Sequence, residues 1–379
     1  AKEKGFRELF VPAANASEAS VVKGINVVPV DNLYGLADHF SGNRHIDYFP
    51  ELEGEMLFSH GEYVDDMSHI SGQQHAKRAL EIAAAGGHNV LLNGPPGSGK
   101  TLLAKAVPSI LPRLTLEESL EITKIFSVAG KLHKGQPLVT MRPYRNPHHS
   151  ASSVSLIGGG SYPKPGEISL AHRGVLFLDE FAEFPKSVLE NLRQPLEDGM
   201  ITISRAKGSL HFPARFVFVA AMNPCPCGNA TDPEKICTCT PAQIMRYQQK
   251  ISGPIMDRID LHVEVPRLSF DKLQQKGDEE RSFEIRARVE SAREIQKRRF
   301  EGLPIICNSE MSSDNIRKFC ALDEKCKELL RNAVSALKLS ARGYHRIIKI
   351  ARTIADLAKS ESIDSAHIAE AIQYRFKSE

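Results

Sequence analysis

Asn89-Val90-Leu91-Leu92-Asn93-Gly94-Pro95-Pro96-Gly97-Ser98-Gly99-Lys100-Thr101-Leu102-Leu103-Ala104 is the stretch that decides the fold. An apolar run of strand length leads into G-x-x-x-x-G-K-[ST], which is filled at every specified position from Gly94 to Thr101, and a helix-forming run follows. Gly94, Gly97 and Gly99, with Pro95, Pro96 and Ser98 between them, let backbone N–H groups curl around phosphates at the positive end of that helix. In such a loop the Lys100 ammonium reaches the outer phosphates and the Thr101 hydroxyl holds Mg²⁺. The rival reading is a glycine-rich turn that matches by chance. Strand, loop, lysine and helix in the required order argue against it.

Working outward, Gly174-Val175-Leu176-Phe177-Leu178-Asp179-Glu180 is a second buried strand, and it ends in two carboxylates. Paired acids after a strand are ordinarily solvated loop residues. Downstream of a phosphate loop they take other roles: Asp179 at the strand end coordinates Mg²⁺ and Glu180 polarises the attacking water. No Asn-Lys-x-Asp motif that would read guanine appears, so ATP is the expected nucleotide.

A third apolar strand, Phe216-Val217-Phe218-Val219-Ala220-Ala221, completes an alternation of strands and helices from about 69 to 266. The expectation is an α/β nucleotide-binding domain with a parallel sheet over residues 69–280. Beyond 281 the strands stop. Residues 283–300, 312–320, 323–338, 341–359 and 364–376 carry helical spacing, with caps at Ser340 and Asp364, so residues 281–379 read as an all-helical lid. Upstream, 9–12 and 25–30 read as short strands, each followed by a helix start. Two strands cannot cover a parallel sheet, so residues 1–42 read as the end of a larger domain, with 43–68 as a linker.

The chain has 379 residues, more than one ordinary domain needs, and 41% apolar with 25% charged residues is the mix of a globular protein with a core. No apolar run approaches the roughly 18–20 residues that cross a bilayer, and no signal segment opens the chain. A cytoplasmic location with no membrane partner follows as the expectation. A net charge of +3 permits nucleic-acid binding without demanding it.

Four of the seven cysteines fall at Cys225, Cys227, Cys237 and Cys239. Two close pairs of soft ligands across a turn-rich loop suit tetrahedral Zn²⁺, and disulfide pairing is the rival that a reducing compartment disfavours. His148, His149 and His172 read as structural polar residues, since no acid or cysteine stands at ligand spacing.

The phosphate loop, Leu178-Asp179-Glu180 and Ala221-Met222-Asn223-Pro224 together resemble an AAA+ ATPase. More narrowly, Pro147-His148-His149, Gly158-Gly159-Gly160 with Pro165-Gly166-Glu167-Ile168, and Asn223-Pro224-Cys225-Pro226-Cys227-Gly228 resemble the magnesium-chelatase-like ComM (YifB) family over essentially the whole chain. That resemblance implies an N-terminal Lon-protease-like domain of which residues 1–42 match only the last part, so a chain starting at Ala1 is expected to be a truncation. It implies that Asn223 senses the attacking water or γ-phosphate, where an Asn before Pro is otherwise a turn residue. It implies that Arg258 is an arginine finger offered to the neighbouring subunit; a surface arginine paired with Asp257 or Asp260 is the alternative. It makes Arg342 a second sensor in the lid, with Arg346 as fallback. A finger in trans implies a ring, expected to be a hexamer.

Residues 201–212 alternate as a hairpin with Arg205 and Lys207 near its tip, and residues 150–162 read as a flexible segment. The resemblance places such insertions in a central pore, where cations grip DNA phosphates without reading bases; a solvated hairpin tip is the other reading. The basic helix 281–300 is read as an exposed charged helix before a DNA contact. The family implies a DNA helicase or branch-migration ATPase acting when incoming DNA recombines during natural transformation. The alternative is a chelatase- or chaperone-type ATPase that remodels a protein partner without DNA.

Overall fold

A computed structural model describes residues 1–51, 63–132, 137–160, 164–205, 208–268 and 279–375. It divides into two compact units, residues 1–62 with 113–141 and residues 63–112 with 142–379.

The smaller unit holds the two predicted strands, Glu8–Pro12 and Asn26–Val30, as a parallel pair with Glu8 opposite Asn26. Its helix Leu33–Phe40 starts where the Asn32 side chain accepts the Gly35 N–H, and Phe10 packs on the His39 and Phe40 rings. Segment 113–141, which the sequence places inside the α/β domain, groups with this unit. Its helix Leu116–Ala129 opens on a Thr115–Glu118 capping box and closes on its own tail, with the Ser119 hydroxyl donating to Val139 O at 2.7 Å.

The larger unit is built on a five-stranded parallel sheet. In chain order its strands are β1 (Val90–Asn93), β2 (Tyr144–Arg145), β3 (Val175–Leu178), then, beyond the hairpin β4 (Met200–Arg205) and β5 (Gly208–Pro213), β6 (Val217–Met222) and β7 (Leu261–Glu264). The spatial order is β7-β1-β6-β3-β2, every neighbour parallel. Strand alternation sorts the side chains: Val90, Leu92, Phe177, Val219 and Ala221 enter one core, and Leu91, Leu176, Leu178, Phe218 and Ala220 the other. Both faces are buried, which is why the central strands read as unbroken apolar runs.

On the first face lie helices α1 (Gln74–Gly86) and α2 (Lys100–Ile110). Their core continues without a break into α4 (Ser282–Arg299), α5 (Ser313–Phe319), α6 (Glu324–Ala336), α7 (Ala341–Leu357) and α8 (Ser365–Gln373); α3 (Arg193–Asp198) precedes the hairpin and packs Leu196 on the second core. The expected caps hold: the Ser340 hydroxyl accepts the Gly343 N–H and the Asp364 carboxylate accepts those of Ala366 and His367. A buried ionic knot ties α4 to α7. The fully buried Asp356 takes Arg299 Nη1 at 2.7 Å, Asn308 Nδ2 at 2.8 Å and Arg352 Nε at 3.1 Å. Removing one partner of such a knot leaves buried charge uncompensated and costs about 3–5 kcal/mol.

One expectation changes. Segment 150–162, read as flexible, contains a helix at Ser153–Ile157 whose Ser152 hydroxyl accepts the Ser155 N–H, and Gly158–Gly159 then pairs with Lys164–Pro165. The cap was in the sequence, but three consecutive glycines masked it. The basic helix α4 and its N-cap keep Arg281, Arg288, Lys297 and Arg298 exposed, in line with an exposed charged helix, and tie others inward: Arg288 also meets Glu81 and Glu280, Arg293 meets Ala84 O and Arg299 meets Asp356.

Candidate active site

Three adjacent strands, β1, β6 and β3, end side by side, and the chemistry-bearing residues sit just beyond those ends. Clefts at the carboxyl ends of parallel strands are where α/β sheets bind ligands. Gly94 follows β1, Asn223 follows β6, and Asp179 follows β3; the Gly94 N–H donates to Met222 O at 3.2 Å and locks the first two together.

The loop has the strained geometry that phosphate binding needs. Gly97 and Gly99 have φ of 77° and 92°, in the left-handed region, and a side chain at either would project into open space. Lys100 opens α2 and is buried, its ammonium donating to Gly94 O at 2.6 Å, to Pro95 O at 2.8 Å and toward Asn223 Oδ1 at 3.4 Å. Thr101 Oγ1 donates to Asp179 Oδ2 at 2.8 Å. A hydroxyl from α2 and a carboxylate from the end of β3 thus meet at one point, and such hard oxygen donors are the set that Mg²⁺ takes. The expected positions of Lys100, Thr101, Asp179 and Asn223 therefore converge.

Glu180 carries two further features. Its φ is +51°, a left-handed conformation that costs a glutamate energy and persists only where the surroundings impose it. Its carboxylate lies 2.9 Å from His149 Nδ1. The sequence reading made His149 a structural polar residue; here it contacts the carboxylate expected to activate water. His172, also read as structural, is buried and accepts the Arg215 N–H at 3.1 Å.

Burial pulls the Lys100 ammonium down to about 8, with Asp179 opposing. The free protein therefore loses that charge as pH rises through about 8, whereas phosphate favours the charged form, so binding above that pH must take up a proton. Affinity for a fluorescent ATP analogue should be level below about pH 8 and then fall by up to about tenfold per pH unit. A flat profile from pH 7 to 9.5 would show that Lys100 keeps its charge over that range in the free protein.

The arginines form a second cluster. Arg258 Nη1 donates to Pro254 O at 2.7 Å and its Nη2 pairs with Glu197 on α3. Arg342 Nη2 lies 3.8 Å from the same carboxylate, so the expected finger and the expected second sensor share one partner. The hydrogen bond from Arg258, with the charges of Arg342 and Arg346 behind it, holds the Glu197 carboxyl below its usual range. Arg346, the fallback, pairs instead with Asp260 at 3.1 Å. Burial alone would raise the Asp260 carboxyl, but Arg346 and His88 outweigh it. No motif marked Glu197, because a lone acid on a short helix carries no sequence signal.

The four cysteine sulfurs of Cys225, Cys227, Cys237 and Cys239 lie within 4.8 Å of one another. Backbone N–H groups of Asn229 and Thr238 hold the Cys227 thiol down. At Cys237 and Cys239 the backbone N–H groups of Cys239 and Cys227 are outweighed by burial and the neighbouring sulfurs, which push both thiols up, so the four sulfurs by themselves favour one thiolate shared among thiols. The cluster is compatible with a structural zinc site. Arg205 ends strand β4 of the predicted hairpin, where Ile203 pairs with Leu210; its side chain and Lys207 lie outside the described residues.

Comparison with known proteins adds the following. A family model described as magnesium chelatase, subunit ChlI, matches residues 66–273, and one for the ChlI C-terminal region matches residues 279–375. Competence protein ComM of Haemophilus influenzae is 45% identical over 381 residues, covering 99% of this chain and 73% of that protein. YifB of Escherichia coli (strain K12) is 40% identical over 376 residues, covering 98% of this chain and 72% of that protein. The magnesium-chelatase 38 kDa subunit of Cereibacter sphaeroides is 25% identical over 173 residues, covering 41% of this chain and 52% of that protein.

Proposed function

Because the chain belongs to the magnesium-chelatase ChlI family of AAA+ ATPases, we propose that it is an ATP-driven ring motor on DNA, a helicase or branch-migration ATPase serving recombination of incoming DNA in natural transformation. The observation that carries this reading is 45% identity to a competence protein across 99% of this chain, joined to Lys100, Thr101, Asp179 and Asn223 meeting at one sheet edge.

The residues divide the work as follows. The loop N–H groups and the Lys100 ammonium hold the phosphates. Thr101 and Asp179 hold Mg²⁺, which when bound neutralises charge on the phosphate oxygens. Glu180, steadied by His149, accepts the proton of the attacking water, and Asn223 orients that water beside Lys100. Arg258, held by Glu197, supplies positive charge to the site of the adjacent subunit in a hexameric cytoplasmic ring, and Arg342, beside the same carboxylate, is the second sensor that touches the γ-phosphate from the lid. The hairpin tip, through Arg205 and Lys207, grips the DNA backbone in the pore, and the four cysteines hold structural Zn²⁺. No helix among the described residues is long and apolar enough to cross a membrane.

A protein-remodelling ATPase without DNA is the second reading, favoured by the similarity to a chelatase subunit. One experiment separates them. With ATP, the protein should move a four-way DNA junction, and single-stranded or forked DNA should raise its ATP turnover. Arg205→Ala with Lys207→Ala should weaken DNA binding at least about tenfold near physiological salt and flatten its salt dependence. Turnover indifferent to DNA, with unchanged DNA affinity in the double variant, would sink the DNA motor and leave the remodelling ATPase.

A further inference from the structure

We propose that the Cys225–Cys239 loop, closed by Zn²⁺, is a brace for the phosphate loop, so that occupancy of the metal site sets nucleotide affinity. The inference rests on reading the phosphate loop as the nucleotide site and deepens the assignment of zinc to the cysteines.

The sulfurs already stand at the spacing a metal imposes. Zn–S bonds of about 2.3 Å in a tetrahedron put sulfurs about 3.8 Å apart. Cys225, Cys227 and Cys237 lie 3.4, 3.6 and 3.7 Å from one another, and Cys239 completes a set within 4.8 Å. Between the pairs the chain has no helix or strand, and residues 229–236 are largely exposed, so little apolar packing fixes this loop. The Gly228 N–H to Cys225 O bond at 3.0 Å and the Arg267–Asp232 pair at 3.4 Å are among the few ties that hold it.

One end of the loop is welded to the catalytic edge. Cys225 is fully buried two residues after Asn223, whose side chain faces Lys100. The other contact is steric. Gly228 has φ of +81°, and a Cβ there would lie 2.6 Å from Pro96 Cδ and 2.7 Å from Pro96 Cγ. Those atoms belong to a ring fused to the phosphate-loop backbone, so they cannot swing away as the end of a flexible side chain would. The cysteine loop therefore presses a bare backbone turn against the phosphate loop, and the position of that turn is set by Cys227, which directly precedes Gly228, and by Cys225, whose carbonyl takes the Gly228 N–H. Releasing the metal frees the turn and, with it, the wall that holds Pro96.

The test uses the full chain, metal analysis, a fluorescent ADP analogue and hydrogen exchange over residues 94–101. The wild type should carry one zinc per chain, and Co²⁺ exchanged into it should give thiolate charge-transfer bands. Cys237→Ser should lose the metal, raise Kd for the analogue at least about tenfold and speed exchange in the phosphate loop, with exchange in α7 unchanged as the folding control. Should that variant fail to fold, Gly228→Ala decides: it should keep one zinc yet raise Kd to a similar degree, and Pro96→Ala in the same chain, which removes the clashing ring, should restore part of the affinity. The proposal is overturned by a wild type that binds no zinc, by a folded metal-free variant with wild-type Kd, or by Gly228→Ala with unchanged Kd. A wild type that holds zinc but binds no nucleotide overturns it too, and does so by removing the nucleotide site itself.

Discussion

Glu180→Gln should leave ATP bound and reduce its hydrolysis by about 10²–10⁴-fold, the usual contribution of a positioned general base. The substitution keeps the size of the side chain and its path from the end of β3, so the phosphate loop and the Thr101–Asp179 contact at 2.8 Å are undisturbed. What it removes is the proton acceptor. An amide nitrogen cannot take a proton from water, and the amide oxygen is far less basic than a carboxylate. The backbone adds to the argument: φ of +51° at a non-glycine residue is maintained against its own cost, and it aims the carboxylate at His149 Nδ1, 2.9 Å away. His149→Ala should therefore lower turnover less than Glu180→Gln, because it loosens the base without deleting it. Phosphate release at saturating ATP, measured beside binding of a fluorescent analogue, reads both variants. Turnover of Glu180→Gln within threefold of wild type would remove the residue from catalysis.

How much of this was legible in the sequence depends on how far apart in the chain the cooperating residues lie. The phosphate loop is contiguous, so strand, glycines, Lys100 and Thr101 declare themselves together, and Asp179 and Asn223 are readable because each ends an unbroken apolar strand. The lid helices were legible from their 3.6-residue period and from caps at Ser340 and Asp364. Pairings across the fold were not. His149 and Glu180 are separated by the whole run into β3, and nothing local says that they meet. Glu197 gathers Arg258 and Arg342 from segments 61 and 145 positions downstream, a relation only the folded chain displays. Strand β2 escaped notice for a simpler reason: at two residues, Tyr144–Arg145 is too short to carry any alternation.

Arg258→Ala should cost about 10³–10⁵ in turnover while nucleotide still binds, the range an arginine finger supplies. Within one chain the Arg258 guanidinium is committed to Glu197 and Pro254 O, and Arg342 leans on the same carboxylate. Both cations are thus presented as a pair by α3, on a different element from the loop that holds their own chain's Lys100. If Arg258 serves the next subunit, activity belongs to an interface and not to a chain, and mixing two dead proteins must revive it. Lys100→Ala destroys a chain's own phosphate site but leaves its finger; Arg258→Ala does the reverse. In an equal mixture half the interfaces receive an intact phosphate site, half of those face an intact finger, and turnover should recover to about a quarter of wild type in a head-to-tail ring. Mixing before and after assembly, with ring formation followed by light scattering, gives the control, since rings that do not exchange subunits stay silent. Exchanged mixtures as inactive as their parents would confine Arg258 to its own subunit and remove the reason for a ring.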